Sequence, residues 1–220
     1  MAEKWTTDEH AAHSLEWSRL VRAGRATRGD AWRVARTAEF YDDRDAPRAD
    51  GVLPAAFAVV RDGVGRVLLV RRADDLNWEL PGGRIDVGES AVDAVVREVA
   101  EEAGLGITVT GLAGVYSDPS HVLVYAGEGV RQQLAICFHA RPRGSGEPSG
   151  NGAGGTTGAG RRPGSPGRSA EPATGVRPDC VETVDAMWAE RGELDRLVMH
   201  PAVRRRVNDA VSAPGHVHFD

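Results

Sequence analysis

Glu98, Glu101 and Glu102 stand at i, i+3 and i+4 in Ser90–Ala103, a stretch with helical apolar period and no Gly or Pro. At about 100° per residue their carboxylates fall within about 100° of one another, on one face of the predicted helix. Val92, Val95, Val96, Val99 and Ala103 gather on another face, the natural core side. Stacked carboxylates repel by a few tenths of a kcal/mol per pair in an isolated helix, and Arg97 is the nearby cation. A divalent cation would offset that repulsion, and hard oxygen ligands suit Mg²⁺ or Mn²⁺. Mg²⁺ is usually held by a few carboxylates together with substrate phosphates, so the pattern points to phosphate chemistry. There a cation bridges pyrophosphate oxygens and acidifies a bound water, and a free carboxylate takes the proton. Pro81-Gly82-Gly83, just upstream, lets the backbone approach closely and offers the Gly83 carbonyl as a further ligand. The three glutamates are expected to be exposed until a cation binds. Taken alone, the triplet reads more readily as a solvated helix face; the wider spacing reverses that.

The elements that must position this helix are legible as apolar runs. Phe57–Val60 and Val67–Val70 read as strands joined through Asp62-Gly63-Val64-Gly65, a hairpin signal. Gly104 stops the helix. Ile107–Val115, Val122–Tyr125, Gln132–Ala140 and Val181–Ala189 read as further strands, and Leu194–Val198 and Ala202–Val211 as helices. Residues 7–40 carry apolar residues at helical intervals and read as one or two short helices, giving a helical extension over 1–45 ahead of a domain over 46–220. Strands before, around and after one long helix predict an α/β or α+β sandwich.

Gly and Pro number 27 and 12 in 220 residues, an excess over the ordinary share. The excess lies in 141–178, which holds 11 Gly, 6 Pro and no aromatic residue. Such a segment cannot bury enough apolar surface to offset the entropy of ordering, so it reads as a disordered Gly/Pro/Arg-rich insert within the domain. The net charge is −5, and the insert, with six Arg and two Glu, is +4, which leaves the remainder at −9. That balance argues against stable binding of nucleic acid through its backbone. No secretory signal and no long apolar run is visible, so the expectation is a cytoplasmic protein without a membrane span. Cys137 and Cys180 lack CxxC partners, so neither a structural zinc site nor a disulfide is expected. His10 and His13 sit at i, i+3 and read as an exposed helix face rather than a metal pair.

The full pattern is Gly83, five residues, Glu89, seven residues, Arg97-Glu98, an aliphatic, any residue, Glu101-Glu102, any residue, Gly104, an aliphatic. This resembles the Nudix box, and every fixed position matches, a chance agreement on the order of 10⁻⁹ per starting point. The resemblance is specific over Gly83–Leu105 and looser from about Ala46 to Val207 with the insert left out. It implies an α/β/α sandwich around a mixed sheet and hydrolysis of a nucleoside diphosphate linked to another moiety: a nucleotide, a nucleotide sugar such as ADP-ribose, or a damaged nucleoside triphosphate. By the same resemblance Glu98, Glu101 and Glu102 bind Mg²⁺ (Mn²⁺ would also serve), Glu98 is a candidate base, and Arg97 orients a glutamate of the box. Glu89 helps hold the loop, and the Gly83 carbonyl can ligate metal. Some members add a later carboxylate, for which Glu128 and Glu182 are both candidates. Many members form dimers, so a homodimer is allowed.

The box does not report what is attached to the diphosphate. Arg71, Trp78, Tyr116 and His121 are the candidate substrate contacts, and Arg72 and Gln133 could also reach a base or sugar. Trp78 could stack on a base, or equally belong to the core. Some ADP-ribose-cleaving members carry a proline downstream of the box, near the position of Pro119. Two other functions stay open. One is a non-catalytic, nucleotide-binding regulatory domain, against which the intact glutamates argue. The other is an isoprenoid-diphosphate isomerase, which would call for a catalytic Cys that neither Cys137 nor Cys180 convincingly supplies.

Overall fold

The computed structural model describes residues 36–125, 129–144, 176–178, 180, 182–213 and 215–220. Among the described residues, ten strands and two helices follow one another: β1 Arg36–Tyr41, β2 Gly51–Val60, β3 Val67–Arg72, β4 Trp78–Glu79, β5 Gly82–Arg84, α1 Ala91–Ala103, β6 Ile107–Tyr116, β7 His121–Tyr125, β8 Gly129–Pro142, β9 Thr183–Ala189, α2 Pro201–Ser212 and β10 His218–Phe219. A single 3-10 turn, Leu194–Arg196, precedes α2. No helix among the described residues is long and apolar enough to cross a membrane.

The large mixed sheet runs β1-β7-β8-β2-β5, with β6 beside β8 and β10 beside β6. The 14 residues of β8 are its spine. One edge of β8 pairs antiparallel with β7 and then β6, and the other pairs in parallel with β2 from Gly51↔Arg131 to Val60↔Ala140. A second sheet has the order β4-β3-β9.

The apolar runs explain the layering. Along β2, Ala55, Phe57 and Val59 enter one core while Ala56, Ala58 and Val60 enter the other. Val67 and Leu69 of β3 divide from Leu68 and Val70 in the same way. Strands buried on both faces read as unbroken apolar runs. Val95, Val99 and Ala103 of α1 close one core, and Val203, Val207 and Ala210 of α2 close the other. The result is the expected α/β/α sandwich around a mixed sheet.

Three expectations are corrected. Arg36–Tyr41 is a strand, not the end of a helical extension: it pairs antiparallel with β7, Tyr41 opposite His121. An open sheet edge supplies backbone partners that outweigh a local helical period. The rest of that extension, His10 and His13 included, lies outside the described residues. The expected β2–β3 hairpin is only a turn. The Asp62 N–H donates to Arg66 O at 3.1 Å and a lone bridge joins Arg61 to Val67, after which the strands part into different sheets. Both edges of β2 are already taken by β8 and β5, so β3 pairs with β4 and β9. Finally, the ends of the expected insert are tied to the domain. β8 continues to Pro142, the Arg143 N–H donates to Gly106 O at 2.8 Å, and the Arg177 N–H donates to Ala103 O at 2.9 Å. Backbone bonding of this kind needs no apolar side chain; residues 145–175 lie outside the described residues.

Candidate active site

Helix α1 begins on Ser90, whose Oγ accepts from the Asp93 N–H at 3.1 Å, and ends on Gly104 in the left-handed conformation. The β4–β5 segment lies across it. Gly82 and Gly83 pair with Phe57 and Ala56 of β2, and the Gly82 N–H donates to Glu102 Oε2 at 2.8 Å. Both glycines are required by space. At Gly82, with φ at 151°, a Cβ would lie 2.3 Å from the Ala56 carbonyl oxygen; at Gly83 it would lie 2.6 Å from Glu98 Oε1. The Glu98 carboxylate therefore rests against bare backbone.

Arg97 binds both oxygens of Glu89, through Nε and Nη2 at 2.9 Å each, in a bidentate pair. Its Nη1 donates to Glu98 Oε1 at 2.7 Å, and Nη2 also reaches Arg84 O at 3.2 Å. One guanidinium thus ties the loop to the helix. The Arg97 bond holds Glu89 below its ordinary value.

The glutamates are less exposed than expected: Glu101 is half-buried, its side chain 35% accessible. Glu98 and Glu102 are buried, at 2% and 4%. They lie where the carboxylate arc meets the apolar stripe of Val95 and Val99, and the glycine loop covers that border. Burial pushes Glu98 up to about 7; Arg97 opposes the rise, and Glu182 and Glu101 add to it. Burial, with the charges of Glu79 and Glu98, lifts Glu102 well above the carboxylate range. Glu182 is therefore near enough to act on Glu98, whereas Glu128 lies outside the described residues.

Crowded carboxylate oxygens, with Arg97 the guanidinium paired to Glu98, fit a hard divalent cation. Glu98 and Glu102 have separate partners, Arg97 for the first and the Gly82 N–H for the second.

Among the described residues, the group whose ligating atoms all lie within 4.8 Å of one another is a different one: Glu39, His121 and His200. Its geometry fits a hydrogen-bonded ion cluster. Arg206 Nη2 lies 3.3 Å from His121 Nδ1, and arginine only donates, so Nδ1 must accept and Nε2 carries the proton. That N–H meets Glu39 Oε1 at 2.7 Å. A metal on Nε2 would force a proton onto Nδ1, facing the guanidinium. Burial alone would raise Glu39, but the His121 bond and the charges of Arg36 and His200 bring it down to about 2. His200 also caps α2, its Nδ1 accepting from the Ala202 N–H at 3.4 Å.

The four expected substrate contacts fall into two places. Tyr116 and His121 line one small cavity beneath α2, together with Gln133, Arg205 and Arg206. Arg71 and Trp78 lie together on the second sheet, the guanidinium 6.0 Å from the indole ring. Arg72 turns inward to Asp74 and Glu79, at 2.7 Å each. Sequence reasoning passed over Arg36, Glu39, Asp74, Glu79, His200 and Arg206, which belong to no spaced motif; the one available signal was the run of charges Arg71-Arg72-Ala73-Asp74-Asp75.

Residues 52–152 match the NUDIX domain family. A candidate 8-oxo-dGTP diphosphatase of Bacillus subtilis (strain 168) is 47% identical over 64 residues, which cover 29% of this chain and 43% of that protein. The ADP-ribose pyrophosphatase of Methanocaldococcus jannaschii is 42% identical over 69 residues, 28% of this chain and 41% of that protein. The chain thus spans about two fifths of the length of each of these relatives. A NUDIX hydrolase crystal structure from Nitrosomonas europaea superposes with a TM-score of 0.52 at 15% identity, over 78% of this chain and 80% of that one, and bears on the fold alone. With the box folded as loop and helix and the sandwich around it, the match places a NUDIX domain at residues 52–152.

Proposed function

We propose that the chain is a divalent-cation-dependent pyrophosphohydrolase, opening the phosphoric anhydride of a nucleotide or nucleotide sugar. The observation that carries this reading is the pair of buried carboxylates, Glu98 and Glu102, packed on Gly83 and Gly82 with a single guanidinium between loop and helix. A structural role would call for a matching cation, and among the described residues Glu102 is in no ion pair; it accepts from the Gly82 N–H instead.

The Gly83 carbonyl with Glu98, Glu101 and Glu102 would hold Mg²⁺ or Mn²⁺, and Glu182 is the added carboxylate. The bound cation would neutralise charge on the diphosphate oxygens. Arg97 fixes Glu98 by holding Oε1, which leaves Oε2 to take the proton of the attacking water. Glu89 keeps Arg97 in register by binding it at two points. Cys137 is no nucleophile here: it is buried, and burial pushes its thiol up to about 12.

The relatives' names suggest the first substrates to try. Purified protein with Mg²⁺ or Mn²⁺ should release nucleoside monophosphate from at least one of ADP-ribose, 8-oxo-dGTP, dinucleoside polyphosphates and nucleotide sugars, and chelation should stop it. No product across that panel would overturn the reading and favour a nucleotide-binding domain without turnover.

A further inference from the structure

A line of alternating charges joins the α1 site to β1, a strand that precedes the matched segment. Glu102 on α1 accepts from the Gly82 N–H at 2.8 Å. Three residues before Gly82, Glu79 of β4 is 6% exposed and receives Arg72 Nη1 at 2.7 Å. Arg72 also holds Asp74 Oδ2 at 2.7 Å in the β3–β4 turn. Arg36 of β1 then grips that turn from the large sheet, Nη2 lying 2.9 Å from Asp75 Oδ2 and 3.4 Å from Asp74 Oδ2. Arg36 Nη1 donates to Glu39, which is anchored in turn by His121. Apart from Arg36–Glu39, which lies within β1, the ion pairs tie one element to another, and each guanidinium has at least two partners, so the geometry is set from both sides.

The geometry points to Arg36 as a positioning residue for the α1 carboxylate site, acting through Asp74, Arg72 and Glu79 on the loop that carries Gly82 and Gly83. This inference rests on the hydrolase reading given above. Without the Arg36 guanidinium the β3–β4 turn loses its tie to β1. The strand that leads into Gly82 then loosens, and Glu102 loses its fixed N–H partner. Substrate binding need not change, since Arg36 itself spends its donors on carboxylates.

The test compares Arg36→Met, Arg36→Lys and Arg131→Met, the last breaking a surface pair between β8 and Asp50, just ahead of β2. Steady-state hydrolysis is measured with the amide exchange rate of Gly82. Arg36→Met should lower kcat roughly 10- to 100-fold with KM within about twofold, and speed Gly82 exchange at least about tenfold. Arg36→Lys should recover part of both, having the charge without the fork. Arg131→Met should leave both at the wild-type level. Unchanged kcat and unchanged Gly82 exchange in Arg36→Met would overturn the inference, as would equal losses in Arg131→Met. Should Arg36→Met fail to fold, Asp75→Asn breaks the closest contact of Arg36 from the turn and carries the same expectations. Wild-type protein inactive on every substrate would count against the hydrolase reading, while Gly82 exchange would still decide the role of Arg36.

Discussion

Two glutamates on opposite sides of the central β layer, Glu98 buried and Glu39 nearly so, are driven in opposite directions. Glu98 is pushed up to about 7 and Glu39 is brought down to about 2, although both lie out of water. The difference is in their neighbours. Glu39 has a His121 N–H, Arg36 and His200 around it. Glu98 has one arginine, shared with Glu89, and faces the further carboxylates Glu182 and Glu101. A buried carboxylate that is fully partnered stabilises its fold; one that is crowded by its own kind is poised for a cation from outside. The metal-ligand donor types at Glu39, His121 and His200 are the more familiar set, yet its protons and arginines already occupy it.

The largest expected effect breaks the crowded side. Glu98→Gln should lower kcat/KM by roughly 10²–10⁴-fold while the protein stays folded, because an amide relieves the repulsion without removing packing. Activity near the wild-type value would end the assignment of Glu98 as the base.

On the partnered side, Glu39→Gln should cost stability. The folded value, about 2, lies below the unfolded one, 4.5. The contribution is therefore present above about pH 4.5, on the order of 3 kcal/mol, and is lost as the pH falls towards 2. Urea unfolding of wild type and variant should converge across that window, and parallel curves would contradict it.

The sign reverses at Glu98. Its folded value, about 7, lies above the unfolded 4.5, so the metal-free protein holds that proton more tightly when folded. Its stability should decline by up to about 3 kcal/mol as the pH rises from 4.5 through 7, and saturating Mg²⁺ should remove the decline. Glu98→Gln should be flat over the same range. A smaller effect calibrates both: breaking the exposed Arg131–Asp50 pair should shift stability by less than about 1 kcal/mol.

What the sequence makes legible here is what is local. Ser90, the apolar stripe of α1 and Gly104 define that helix within 15 residues, and the Glu98, Glu101 and Glu102 spacing survives folding because helical geometry is fixed. The apolar runs of β2 and β3 are equally plain. What stays hidden depends on distant partners. Arg36 pairs across 39 residues with Asp75, and Glu39 across 82 with His121; no spacing rule links them. Burial of Glu98 and Glu102 is hidden too, since periodicity places side chains on a face but does not say that a glycine loop will cover its border. β1 reads as helix from its period because only β7, far along the chain, offers the competing edge.

The most direct measurement is Mn²⁺ binding by isothermal titration to wild type, Glu102→Gln and His200→Asn. The asparagine keeps a cap for α2 while removing an imidazole from the partnered cluster. Wild type and His200→Asn should bind Mn²⁺ alike, and Glu102→Gln should bind it at least about tenfold more weakly. Binding lost in His200→Asn and retained in Glu102→Gln would place the cation on the other side of the β layer and contradict the central claim.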